Sequence, residues 1–251
     1  MLIGLFTLLS ILLFGGGPSP FVIPNAKKII KSEIQDKVKK EKALEIMDQY
    51  QIEWKEFNKV QKDQSKEFDK LIVDRKVRTE QMKQELRSDS LERLRIMELL
   101  IASRIEMMNL LDQDEWDRIM KRAIEDHEAS KEKREKEYQK ALDDLDKKYA
   151  DLNAAIDANL ASKAAPAKEH VERFRSYVKD LVISEQEKVS ELIELMKNKE
   201  QSAAEMRKLA LKYEGFRSKV LHSFIDLREY LIENCSDETW EKLSKALVTF
   251  S

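Results

Sequence analysis

The residues able to do chemistry in this chain are few and scattered. His127, His170 and His222 lie on separate stretches, and none has a second His or Cys at metal-ligand spacing. They read as surface or packing histidines. Carboxylates are abundant, and neighbours such as Asp143 and Asp144 are the kind of pair that does acid–base work. That work needs a sheltered pocket to shift one pKa, and the surrounding pattern describes a solvated helix face. Cys235 is the one thiol, so an intramolecular disulfide and a thiolate cluster are both excluded. Gly15, Gly16 and Gly17 stand beside an apolar segment and read as a hinge, not a phosphate loop. The sequence thus names no catalytic, cofactor-binding or metal-ligating residue, and it predicts a non-enzyme without a small-molecule substrate.

The elements that carry these residues are helical. Five glycines and four prolines serve 251 residues, and from Asn25 onward only Pro166 and Gly215 remain. A sheet protein needs turns built from residues that tolerate positive or fixed φ, whereas long helices are damaged by both residue types. Charged residues make up 37% of the chain, yet the signs nearly cancel at a net charge of −2. That balance argues against a nucleic-acid partner.

Residues 1–26 carry no charge, and Leu2 to Phe14 is strongly apolar. With the hinge and Phe21 to Ile23 included, the uncharged length suffices to span a bilayer. No Lys or Arg precedes the run, and cuts after Gly17 or Ser19 would leave Pro18 or Pro20 first. These features favour an uncleaved single-pass anchor at residues 1–24 over a signal peptide. The lysines from Lys27 to Lys42 are compatible with either a cytoplasmic body or a solvated face near headgroups, so the side of the membrane stays open.

Beyond the anchor, Asn25 is the expected cap of a long helix to about Arg87, its apolar stripe running through Val38, Met47, Trp54, Phe57 and Val60. Ser88-Asp89-Ser90 reads as a break, with Asp89 and Glu92 as a capping pair. Asp112 and Glu115 read as a second capping box. Tyr138, Leu142, Leu145, Tyr149, Leu152 and Ile156 form a clean seam, and the Lys131–Lys148 run that overlaps it reads as an exposed helix laced with i,i+4 pairs. A turn is expected near Pro166, then one helix to about Asn234 with Gly215 as a candidate kink, then a short helix capped by Ser236. The expected fold class is all-α: an N-terminal transmembrane helix followed by long antiparallel coiled-coil-like helices. The expected units are residues 25–160 and 161–251, packed together.

Trp116 and Trp240 are 124 residues apart. At that offset Met97, Leu100, Arg104, Met107, Asp112 and Ile119 match Leu221, Phe224, Arg228, Leu231, Ser236 and Leu243, and Cys235 falls where Leu111 does. This pattern predicts a duplicated helical hairpin, with Cys235 as a small packing residue. The turns Leu111-Asp112-Gln113-Asp114-Glu115 and Cys235-Ser236-Asp237-Glu238-Thr239 are similar to the Leu-Thr-x-x-Gln turns of Spy- and CpxP-type periplasmic proteins. That resemblance implies a holdase-like chaperone or stress sensor, for which the cluster of Met97, Met107, Met108 and Met120 would supply apolar surface. Neither turn carries the full motif, and capping chemistry accounts for both. The leading expectation is a non-catalytic membrane-anchored scaffold whose partners are the bilayer, through residues 1–24, and a protein or second copy, through its helical faces.

Overall fold

The computed structural model describes residues 26–129, 131–200 and 203–250, in which all regular structure is helical. The expected anchor at residues 1–24 lies outside the described residues. Among the described residues, no helix is long and apolar enough to cross a membrane.

A short helix α1 (Ala26–Glu33) leads into α2 (Lys37–Val73), which turns into α3 (Thr79–Leu110). Then come α4 (Gln113–Ala129) and α5 (Lys131–Leu160), and a 3-10 turn at Ala161–Lys163 leads to α6 (Ala164–Lys197). The last two helices are α7 (Ala203–Asn234) and α8 (Asp237–Val248). Helices α2 and α3 form one antiparallel hairpin, as the pairings Glu53–Arg95 and Gln61–Asp89 show. Helices α6 and α7 form another. The inner arms α3 and α7 also run antiparallel, joined by Glu98–Arg207 and Arg93–Glu214. At a rise of about 1.5 Å per residue, α2 is roughly 55 Å long.

Several boundaries differ from the sequence reading. The helix expected from Asn25 is interrupted early, because the Asp36 carboxylate accepts from the Lys39 amide and caps a new helix, α2. The break expected at Ser88-Asp89-Ser90 does not exist. α3 runs through it, and Asp89 caps nothing but is buried against Arg93. The true break lies at Asp74–Arg78. Likewise, the helix expected to reach Asn234 from Pro166 is interrupted after Lys197, and α7 continues through Gly215. Pro166 sits in the first turn of α6, where a missing amide hydrogen costs little.

Other expectations hold. Asp112 and Glu115 exchange backbone-to-carboxylate bonds of 2.9 and 3.1 Å, and Ser236 accepts from the Thr239 amide at 3.2 Å. The seam residues Leu145, Tyr149, Leu152 and Ile156 are buried.

The largest core cluster draws on both expected units. Phe68, Ile72 and Met82 share it with Val171, Phe174, Phe224 and Leu231. Each such side chain contributes about 1.5–3 kcal/mol when fully buried. A second cluster gathers Ile30, Met47, Met107, Trp116 and Met120 at one end. On α2 the buried stripe is Ala43, Met47, Tyr50, Trp54 and Phe57. Val38 and Val60, expected in that stripe, are exposed. The next inward slot after Phe57 belongs to Gln61, which donates to Asp89.

Candidate functional site: two arginine corners and a central charge cluster

The two missed breaks have a common cause. Asp74–Arg78 and the residues after Lys197 contain no Gly or Pro, so the strongest local helix breakers are missing. Each stop is held from a distance. Arg228, on α7, is almost fully buried and donates to the carbonyls of Ile72 (2.9 Å), Leu71 (3.1 Å), Asp74 (2.7 Å) and Val77 (3.3 Å). Leu71 and Ile72 are among the carbonyls that the end of a helix leaves without amide partners, while Asp74 and Val77 lie in the turn itself, where Asp74 also accepts from the Val77 amide. The Trp240 indole N–H, on α8, adds a bond to the Val73 carbonyl at 2.8 Å. The Arg228 guanidinium lies 5.6 Å from the centre of the Trp240 ring, within cation–π range.

Arg104, on α3, does the same for the other break. It is buried, donates to the carbonyls of Leu195 (3.4 Å) and Asn198 (3.3 Å), and lies 4.8 Å from the Trp116 ring centre. Burial lowers both guanidinium pKa values, to about 10 each. For Arg228 the nearby Asp74 and Glu229 partly offset that effect. Both groups therefore stay charged at physiological pH.

The correspondence at 124 residues extends well past these corners. α3 and α7 have the same length and matching bounds, and α2 and α6 end at matching residues. After each stop, a side chain accepts the amide two residues on: Asp74 from Lys76 at 2.9 Å, Asn198 from Glu200 at 3.0 Å. The buried stripe of α2 recurs on α6 as Ala167, Val171, Phe174, Val178 and Leu181. Arrangement is reciprocal: each corner arginine clamps the helix end of the opposite hairpin.

Where α3 and α7 cross, the matched pair Arg93 and Arg217 is buried. Arg93 binds Glu214 through two bonds of 3.0 and 2.6 Å and also pairs with Asp89. Arg217 faces Asp89 at 3.7 Å. Desolvation is the largest single influence on Arg93 and pulls its pKa down, but Glu214 and Asp89 together outweigh it and leave it raised. Two buried cations thus meet two carboxylates, an arrangement that fixes register more than it adds stability.

The residues that the sequence set aside as chemically ordinary are not gathered into a site. His170 stacks on Tyr230 at 4.9 Å, and His222 engages the Ser218 carbonyl at 2.7 Å. The His127 side chain lies outside the described residues. Cys235 is half-buried against the main core, and burial raises its pKa. Among the described residues, no three His, Cys, Asp or Glu side chains are placed to hold a metal ion. Sequence reading matched Arg104 with Arg228 but missed their role. It also missed Arg93 and Arg217, whose shared offset was the available signal. Comparison of the chain with protein-family models, with curated proteins and with solved structures gives no match.

Proposed function

We propose that this protein is a non-catalytic, membrane-anchored helical scaffold, built from an internally duplicated helical hairpin. In this reading residues 1–24 tether the chain, and the body is a stiff spacer that presents its outer helical faces to a protein partner or a second copy. The observation that carries the proposal is the use made of the buried cations. Arg93, Arg104, Arg217 and Arg228 are each committed to holding one helix against another, which is the chemistry of a rigid frame. The matched helix bounds and reciprocal corners support duplication, with α1 and the end of α5 as equivalent starts and the exposed first half of α5 as the connector. Burial of Met107, Met120 and Trp116 favours the scaffold over the holdase alternative, which needs that Met-rich surface in solvent.

The test is fractionation of cells expressing the full chain and a variant lacking residues 1–24, with carbonate extraction and with protease added before and after membrane permeabilisation. The proposal expects the full chain to stay with carbonate-washed membranes and the shortened chain to be released. Full-length protein in the soluble fraction would overturn it. Protection from protease assigns the side on which the body lies.

A further inference from the structure

The two hairpins differ at one place halfway along their arms. In the α6–α7 hairpin, Tyr213 and Leu209 are buried between the arms, and the Tyr213 hydroxyl donates to Glu191 at 3.0 Å. At the matching positions of the α2–α3 hairpin stand Asp89, Glu85 and Glu67. A carboxylate thus replaces a phenol, another replaces a leucine, and the carboxylate that received the phenol is retained. The space left there is a cavity of ≈ 500 Å³ between α2 and α3, with Phe68, Leu71 and Leu86 on its apolar surface. That volume lies within the range of small-molecule sites and far below what a docked helix needs.

The geometry points to this cavity as a binding site for a small arylalkylamine. The ring would lie on the apolar surface of Phe68, Leu71 and Leu86, in a hairpin that lacks the aromatic side chain the second hairpin carries as Tyr213. The ammonium would meet Glu67, retained in the other hairpin as Glu191, together with Glu85 and Asp89, which are carboxylates where the other hairpin carries Leu209 and Tyr213. Existing pairs at the rim do not block it. Glu67 is held by Lys70, and neighbouring Asp63 by Lys66, but both are exposed three-residue pairs of small net value. Asp89 keeps its bonds to Arg93 and Gln61 and its pairing with Arg217, so Glu85 and Glu67 supply most of the charge open to the ammonium. The inference goes beyond the scaffold reading and stands or falls separately from it.

The experiment is calorimetric titration of the full-length protein, in detergent micelles, with tyramine and with its neutral analogue 4-hydroxyphenethyl alcohol. The expected result is saturable one-to-one tyramine binding with a Kd of about 0.1–1 mM. The neutral analogue should bind at least about tenfold more weakly, since a charge-assisted bond is lost. Glu67→Gln should weaken tyramine about tenfold. Glu85→Leu installs the residue that the second hairpin carries and should abolish binding, while far-UV circular dichroism stays unchanged. No saturation by about 10 mM would overturn the proposal. Equal affinity for the two compounds, or tyramine binding by Glu85→Leu equal to that of the parent, would overturn it as well.

Discussion

At the corner closed by Arg228, carbonyls from Leu71 to Val77 converge on one guanidinium at 2.7 to 3.3 Å, and an indole N–H joins them. Arg75 ties the same turn back to the Ile232 and Cys235 carbonyls at 2.7 and 2.6 Å. At the corner closed by Arg104, the bonds to Leu195 and Asn198 are stretched to 3.4 and 3.3 Å, and the arginine leans closer to its tryptophan. The position matching Arg75 is Lys199, which has no planar fork to hold two carbonyls. One design thus exists in a tight and a loose version. The difference teaches that the length of the bonds from a distant cation can tighten or loosen a helix end that a local Asp or Asn turn also marks.

The strongest way to break the comparison is Arg228→Met, which keeps volume but removes the donors. Its cost is expected at about 3–5 kcal/mol in denaturant unfolding, because several buried carbonyls lose their partners at once. Arg104→Met should cost about 2 kcal/mol, given its longer bonds. An equal or larger loss for Arg104→Met would remove the distinction between tight and loose corners. Trp240→Phe deletes one donor while retaining a ring under Arg228. A loss of about 1 kcal/mol is expected, with faster amide exchange confined to the turn after Val73.

Gly215 tests the matched positions from the other direction. It occupies the place of Leu91, lies within α7, and has nothing within 4 Å of where a Cβ would stand. Gly215→Ala should therefore stabilise the fold by about 0.5–1 kcal/mol, read as a raised thermal midpoint. The mildest probe is acid. α4 is capped by a carboxylate and α8 by a hydroxyl. The Asp112 pKa is held below its ordinary 3.8, first by the backbone amide of Glu115 and then by Lys39. Its capping contribution is fully present above the ordinary value and is lost as pH falls through the lowered one. Exchange protection at the Glu115 amide should fade on acidification while that at Thr239 persists; parallel behaviour at both would show that the carboxylate is not what holds α4.

Much of this fold was legible in the sequence, but unevenly. Helical class followed from the near absence of Gly and Pro beyond Asn25. The capping box at Asp112 and the cap at Ser236 were legible because a cap acts on an amide three residues away. The breaks at Asp74 and Asn198 were not, because the groups that enforce them lie on other helices. Ser88-Asp89-Ser90 carries capping residue types, yet Asp89 is drawn inward by buried cations and α3 runs on. The charge cluster was hidden for a related reason. Arg93 and Arg217 sit in charged stretches like those of any solvated helix, and only the packing of α3 on α7 buries them.

The reciprocal clamping also orders events in time. The carbonyl of Asp74 waits for a guanidinium 154 residues later in the chain. At a synthesis rate of about 5–20 residues per second, the first hairpin spends roughly 8–30 s with its bend unsecured. During that interval its own apolar stripe, the Glu53–Arg95 and Gln61–Asp89 pairings across its arms and the local bond from Lys76 to Asp74 are what favour a folded-back hairpin over one continuous rod. The first half of this protein is therefore made before the guanidinium that secures its bend, and its shape is settled only once Arg228 has been made.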